Sequence, residues 1–230
     1  MNFEICTDCV EGAMAAEKYG AKRIELCSAL SVGGLTPSFG LIQQCVENSS
    51  VEVHVMIRHK EGGFVCSELD INLMKVDISM AKQAGATGVV FGILTAENTV
   101  SSKNKELLNF AKQLNLEVTF HRAFDFLIDY KKGIECLINF GFDRLLTSGL
   151  KKTAEEGLDV ISFLQWHYGD QLQIMAGSGI NSSNALKIAA VGVNNLHFTA
   201  RRPVISNNPF SMGDVMVVDE EKIRTITNLF

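Results

Sequence analysis

Apolar and polar positions along this chain follow two alternating rhythms. Short runs with a period of two, rich in Val, Ile, Leu and Phe, predict strands near 2–6, 22–27, 51–58, 87–93, 116–122, 143–148, 172–177 and 194–199. Between them, apolar spacings of three and four predict helices near 8–19, 37–48, 68–84, 102–114, 129–140, 153–167 and 182–190, with a last one over about 219–229. Gly20, Gly85 and Gly141 punctuate the helix-to-strand joints. A strand followed by a helix, repeated eight times, predicts an α/β fold of the (β/α)8 TIM-barrel type, a single domain over residues 1–230. A doubly wound open sheet is the alternative. It normally carries a Gly-x-Gly-x-x-Gly after the first strand, and none stands there, so no nucleotide cofactor is expected. The stretch 201–218 has neither rhythm and is expected to be an irregular loop.

Side chains alternate faces along a strand. Phe3 and Ile5 share one face of the first strand, and Glu4 and Cys6 the other. Ile24 and Leu26 oppose Glu25 and Cys27; Val53, Val55 and Ile57 oppose His54, Met56 and Arg58; Val118 and Phe120 oppose Thr119 and His121. The purely apolar parity must face the helices. The mixed parity therefore lines the barrel axis and places Glu4, Cys6, Glu25, Cys27, His54, Arg58 and His121 around one interior. Most of them stand toward the C-terminal ends of the strands, where barrel active sites lie. A purely structural polar layer is the bland alternative. Large apolar residues would fill the axis more cheaply than seven polar ones.

Three chemistries are open to this set. Glu4, Glu25, His54, His121 and Asp125 supply carboxylates and imidazoles for acid–base work, with Arg58 and Arg122 to orient an anion. Gly177-Ser178-Gly179 after the seventh strand, with Thr147 and Ser148 after the sixth, is a candidate anion cradle. Cys6 and Cys27 hold equivalent places in two Glu-x-Cys repeats on neighbouring strands, where two thiols can meet one Cu(I) beside the Met56 thioether. Two small interior side chains are the plainer explanation of that pair. Cys6-Thr7-Asp8-Cys9 also forms a C-x-x-C, a minor redox alternative.

Composition narrows the setting. A net charge of −5 and a pI near 5.6 argue against a nucleic-acid or anionic-membrane partner. With 47% hydrophobic residues and 3 prolines the chain can bury a sizeable core. No signal-like start and no apolar run of ~18 residues is present, and six cysteines in such a chain are expected to be thiols of a cytoplasmic protein.

Glu25-Leu26-Cys27-Ser28-Ala29, Gly33-Gly34-Leu35-Thr36-Pro37-Ser38, His54 to Arg58, Phe120-His121-Arg122-Ala123-Phe124-Asp125, Leu146-Thr147-Ser148-Gly149 and Met175-Ala176-Gly177-Ser178-Gly179 together resemble the CutC family from residue 3 to about 200. The resemblance implies a cytosolic (β/α)8 barrel that forms homodimers or larger homo-oligomers and is assigned to copper homeostasis, with copper bound through cysteines. By position, the family's barrel-mouth residues fall on Glu4, Glu25, His54, Arg58, His121, Arg122, Asp125, Gly177, Gly179 and His197, and the copper thiols on Cys6 and Cys27. After Arg58 the family usually reads Pro-Arg-Gly-Gly-Asp-Phe, whereas this chain reads His59-Lys60-Glu61-Gly62-Gly63-Phe64. The resemblance favours a copper-binding protein. The seven axial polar groups favour an enzyme acting on a small anionic or phosphorylated metabolite.

Overall fold

Closure of the sheet resolves the alternation of the strands. In the structure, a computed structural model describing residues 1–204 and 215–230, eight parallel strands pair in chain order and the last pairs with the first. They are β1 (Asn2–Thr7), β2 (Arg23–Leu26), β3 (Glu52–Met56), β4 (Gly88–Phe91), β5 (Glu117–Phe120), β6 (Arg144–Thr147), β7 (Gln173–Gly177) and β8 (Asn195–Thr199). Around them lie α1 (Val10–Lys18), α2 (Phe39–Asn48), α3 (Glu68–Gln83), α4 (Lys103–Gln113), α5 (Tyr130–Phe140), α6 (Leu158–Tyr168), α7 (Ala185–Ala189) and α8 (Glu220–Thr227). This is the expected (β/α)8 barrel. No helix among the described residues is long and apolar enough to cross a membrane.

Local chemistry sets the helix starts. Ser67 accepts from the Asp70 amide while Asp70 accepts from that of Ser67, a reciprocal cap for α3. Asp129 caps α5 and Asp219 caps α8. α7 begins at Ala185, later than expected from residue 182. The Asn181 side chain captures the Ser183 amide and that of Asn184 captures the Asn181 amide, so side chains replace helical bonds there. The irregular loop expected over 201–218 is corrected at both ends: Arg201–Pro203 (β9) and Met216–Val218 (β10) pair as an antiparallel ribbon. Residues 205–214 of that stretch lie outside the described residues.

The two strand parities separate as two cores. Ile5, Ile24, Val53, Val55, Val118 and Phe120 join the large apolar layer between sheet and helices. Inside the barrel, Cys6, Cys27, Met56 and Val90 form a second, smaller cluster. Below that cluster the axis is filled by charge. Arg23, 1% exposed, pairs through Nε with Glu4 and through Nη1 with Glu52 at 3.2 Å. Arg144 reaches Glu117 at 2.9 Å, Thr119 Oγ1 at 3.0 Å and, through Nε, Gln173. His54 fits into this plug, 3.6 Å from Glu117 and beside Arg144. Its imidazole occupies space left by Gly88, where a Cβ would come within 2.5 Å of the ring. Gly88→Ala is therefore expected to lower unfolding free energy by about 1–3 kcal/mol, as an overpacked core does, measured by urea denaturation. An unchanged midpoint would show that the ring relaxes freely.

Candidate functional site

Above the charged plug the barrel opens into a cavity of about 940 Å³. Cys6, Glu25, Met56 and His197 face it at the floor; Leu30, Phe64, Leu94, Phe126, Ile180 and Phe198 give apolar walls; Arg58, His121, Arg122, Arg201 and Lys222 bring polar heads. The barrel register fixes the floor. Cys6 stands level with Glu25 on β2 and Thr199 on β8, and Glu4 level with His197.

Two constellations share Glu25. Cys6, Glu25 and Cys27 each offer a ligand atom within 4.8 Å of the other two, and so do Glu4, Glu25 and His197. His197 places Nδ1 2.8 Å from Glu4 and Nε2 3.6 Å from Glu25. Burial works against the imidazolium, but the Glu25 and Glu4 carboxylates outweigh it and hold His197 well above its ordinary value. Burial likewise opposes the Glu4 anion, but its bonds to His197 and Arg23 keep it below the usual carboxylate range. Burial pushes the Glu25 carboxyl well up, and one oxygen, Oε1, has no partner among the described residues. The hydrogen bond from Cys27, with help from His197, brings the Cys6 thiol down to about 5 and drives Cys27 up. A thiol held low, a thiol held high and a carboxyl held high thus stand together beside His197. The Gly33–Gly34 turn closes over Cys27, where a Cβ on residue 34 would be 3.0 Å from Sγ, so Cys6 is the sulfur that opens to the cavity.

The wall residues are held in place by backbone. β5 stops at Phe120 and Arg122–Phe126 turns into a 3-10 helix, so strand parity, which would turn Arg122 to the helices, no longer governs it and Arg122 lines the cavity. His121 Nδ1 accepts the Ala123 amide at 3.2 Å, which puts the ring proton on Nε2. Burial and then Arg58 bring this imidazole down to about 4, so it is neutral and offers an N–H. Arg58 donates to the carbonyls of Val32 and Gly34 at 3.0 Å and of Gly62 at 2.9 Å. Its guanidinium lies 5.6 Å from the Phe64 ring centre, and so it ties the loops after β2 and β3 together. The altered sequence His59 to Phe64 keeps this contact through Gly62 and Phe64.

Several candidate residues stand apart from the cavity. His54 is sealed in the plug, where burial, then Arg144 and Arg23, bring it down to about 3 against the pull of Glu4; it is a neutral packing group, not an accessible base. Glu4 is taken up by His197 and Arg23 and does not face the cavity. Asp125 receives the amides of Ser148 (3.0 Å) and Leu150 (3.1 Å), the hydroxyls of Thr147 (2.5 Å) and Ser148 (2.8 Å), and Arg122 Nε (2.8 Å). It clamps the loops after β5 and β6, and the Thr147 and Ser148 hydroxyls are turned to it and away from any anion. Gly177 packs against Leu146 and His197, while Ser178 and Gly179 line the cavity. All six cysteines are free. The C-x-x-C does not converge: Cys6 points inward, whereas Cys9 stands just before α1 beside Thr7.

Sequence reasoning passed over Arg23 and Arg144. Both share the inward parity of their strands, Arg23 with Glu25 and Arg144 with Leu146, and an arginine opening an apolar strand was the available signal. Phe64, Phe126 and Lys222 reach the cavity from loops and α8, where no strand parity points to them.

Comparisons with known proteins agree over most of the chain. The model of the CutC family matches residues 1–202. A CutC family protein from Bacteroides thetaiotaomicron is 40% identical over 232 residues, covering 98% of this chain and 92% of that relative. One from Vibrio atlanticus is 40% identical, covering 97% of this chain and 96% of that relative. The crystal structure of CutC from Streptococcus agalactiae, whose name ties it to copper homeostasis, superposes with a TM-score of 0.80 at 32% identity, over 86% of this chain and 98% of that one.

Proposed function

The chain belongs to the CutC family, and from that premise we propose that it binds copper as Cu(I) through Cys6 and Cys27, in a copper-homeostasis role. The observation that carries this reading is the mutual approach of Cys6, Cys27 and Glu25 within 4.8 Å. Soft thiolates select Cu(I), and the thiolate, not the thiol, is the ligand. Cys6, held down at about 5, supplies a ready thiolate on the cavity side. Cys27, whose sulfur lies 3.7 Å from Glu25, must lose its proton to become a ligand, so copper binding releases a proton to solvent. Met56 packs in the same cluster as a thioether neighbour. X-ray absorption at the copper edge of the Cu(I)-loaded protein tests the coordination. Sulfur scatterers that diminish in Cys27→Ser are expected. A spectrum with only nitrogen and oxygen neighbours would sink the reading.

A second reading, an enzyme acting on a small anionic metabolite, is favoured by one specific observation. A cavity of about 940 Å³ is of the size that holds a metabolite, and a metal ion fills a small part of it.

A further inference from the structure

We infer that the cavity above the thiols binds a small molecule built as a flat apolar ring carrying an anionic group. The anion is held by Arg122 and His121, and the ring lies against Phe64 and Phe126. This names the ligand class of the second reading above and rests on it.

The anion end follows from donors left over once the protein's own bonds are made. Arg122 uses Nε on Asp125 and Nη2 on Ser148 Oγ (2.7 Å) and the Lys151 carbonyl (3.4 Å). These bonds fix the guanidinium plane. Nη1 has no acceptor among the described residues, and the side chain is 38% exposed where it lines the cavity. A pre-oriented guanidinium with a free edge loses little entropy on taking an oxyanion. His121 adds a second donor from the adjacent position. Its Nδ1 is occupied by the Ala123 amide, so its Nε2–H is left to the cavity with no acceptor among the described residues. The Asp125 carboxylate is enclosed by five donors, its side chain 4% exposed, so it offers the incoming anion little repulsion.

The ring end follows from the wall beside those donors. Phe64 lies 5.2 Å from the His121 ring and 5.2 Å from the Phe126 ring, so the three form one aromatic corner. Phe126 is 59% exposed although it sits on a short, well-bonded turn. Leu94 and Ile180 continue the apolar surface. An apolar ring placed there covers exposed aromatic surface and makes offset or edge contacts, while its anionic group reaches Arg122 and His121. A bare inorganic anion leaves that corner wet.

Calorimetric titration of the full chain in the presence of a copper chelator tests this, with phenyl phosphate, benzyl alcohol and inorganic phosphate as probes. Phenyl phosphate is expected to bind saturably, and benzyl alcohol and inorganic phosphate each about tenfold or more weaker. Arg122→Leu should abolish the difference between phenyl phosphate and benzyl alcohol. Because Arg122 also ties two loops, Phe126→Ala is the second variant: its exposed ring is dispensable for folding, and its removal should bring phenyl phosphate down toward inorganic phosphate. Inorganic phosphate binding as tightly as phenyl phosphate would overturn the ring-bearing class and leave an anion cavity standing. Absence of binding by any of the anions, or binding unchanged in both variants, would overturn the inference together with the metabolite reading.

Discussion

Arg23→Met is expected to destabilise the protein by about 3–5 kcal/mol, as removing one partner of a buried ion pair does. The arginine is 1% exposed and its partner Glu4 is equally sealed, so the substitution strands a carboxylate in the barrel with only His197 to meet it. Methionine fills much of the volume, which leaves charge as the variable. The double variant Arg23→Met/Glu4→Gln should recover part of the loss, since removing both charges removes the stranded one. Denaturant midpoints of wild type and both variants measure this. A single variant within about 0.5 kcal/mol of wild type, the range of ordinary surface changes, would mean that the plug is solvated and the pair is not a structural element.

Acid is expected to unfold the protein through its two neutral buried histidines. Burial lowers His54 from 6.5 to about 3 and His121 from 6.5 to about 4. The sign follows from proton counting. Between pH 6.5 and about 4 the unfolded chain binds a proton at each histidine and the folded chain does not, so stability falls as pH falls, by about 1.4 kcal/mol per pH unit for each. Glu25, raised by burial, and Cys6, lowered chiefly by the Cys27 hydrogen bond, act with opposite signs over this range. His197, held up by its carboxylates, adds the reverse dependence: its contribution is full below pH 6.5 and is lost as pH rises through its folded value. Stability measured by urea at a series of pH values should therefore drop steeply below neutrality. The steepness should be about halved in His54→Gln, down to about 1.4 kcal/mol per pH unit. A pH-independent stability between 6.5 and 4 would contradict the sealed, neutral state of these rings.

The barrel was legible because its rule is simple. One parity of each strand is apolar and faces helices, and Ile24, Val55 and Phe120 sit where that rule puts them. The same rule placed Cys6, Cys27, Glu25 and His121 inside. It does not give height along the axis, because parity is blind to depth. His54 and Glu4 share the parity of the floor residues yet do not line the cavity: His54 packs on Gly88 beside Arg144, and Glu4 is taken up by Arg23 and His197. Parity also stops where a strand stops. Parity alone would turn Arg122 to the helices if β5 ran on, but the chain turns at His121, whose ring caps the turn. The Thr147–Ser148 hydroxyls illustrate a third limit. A hydroxyl beside a glycine turn looks like an anion ligand until the acceptors around it are seen: Asp125, 22 residues away in sequence, takes the Thr147 proton, and Ser148 Oγ lies between Asp125 and the Lys151 carbonyl.

The central claim, Cu(I) held by two facing thiols, is tested most directly by a competition titration against a strong Cu(I) chelator under reducing conditions. Wild type should bind one equivalent tightly. Cys6→Ser/Cys27→Ser should lose at least the ~100-fold that removal of a supporting group alone can bring at a metal site. Weak binding by wild type, or equal binding by the double variant, would contradict the claim and turn the search to an anionic metabolite for the cavity.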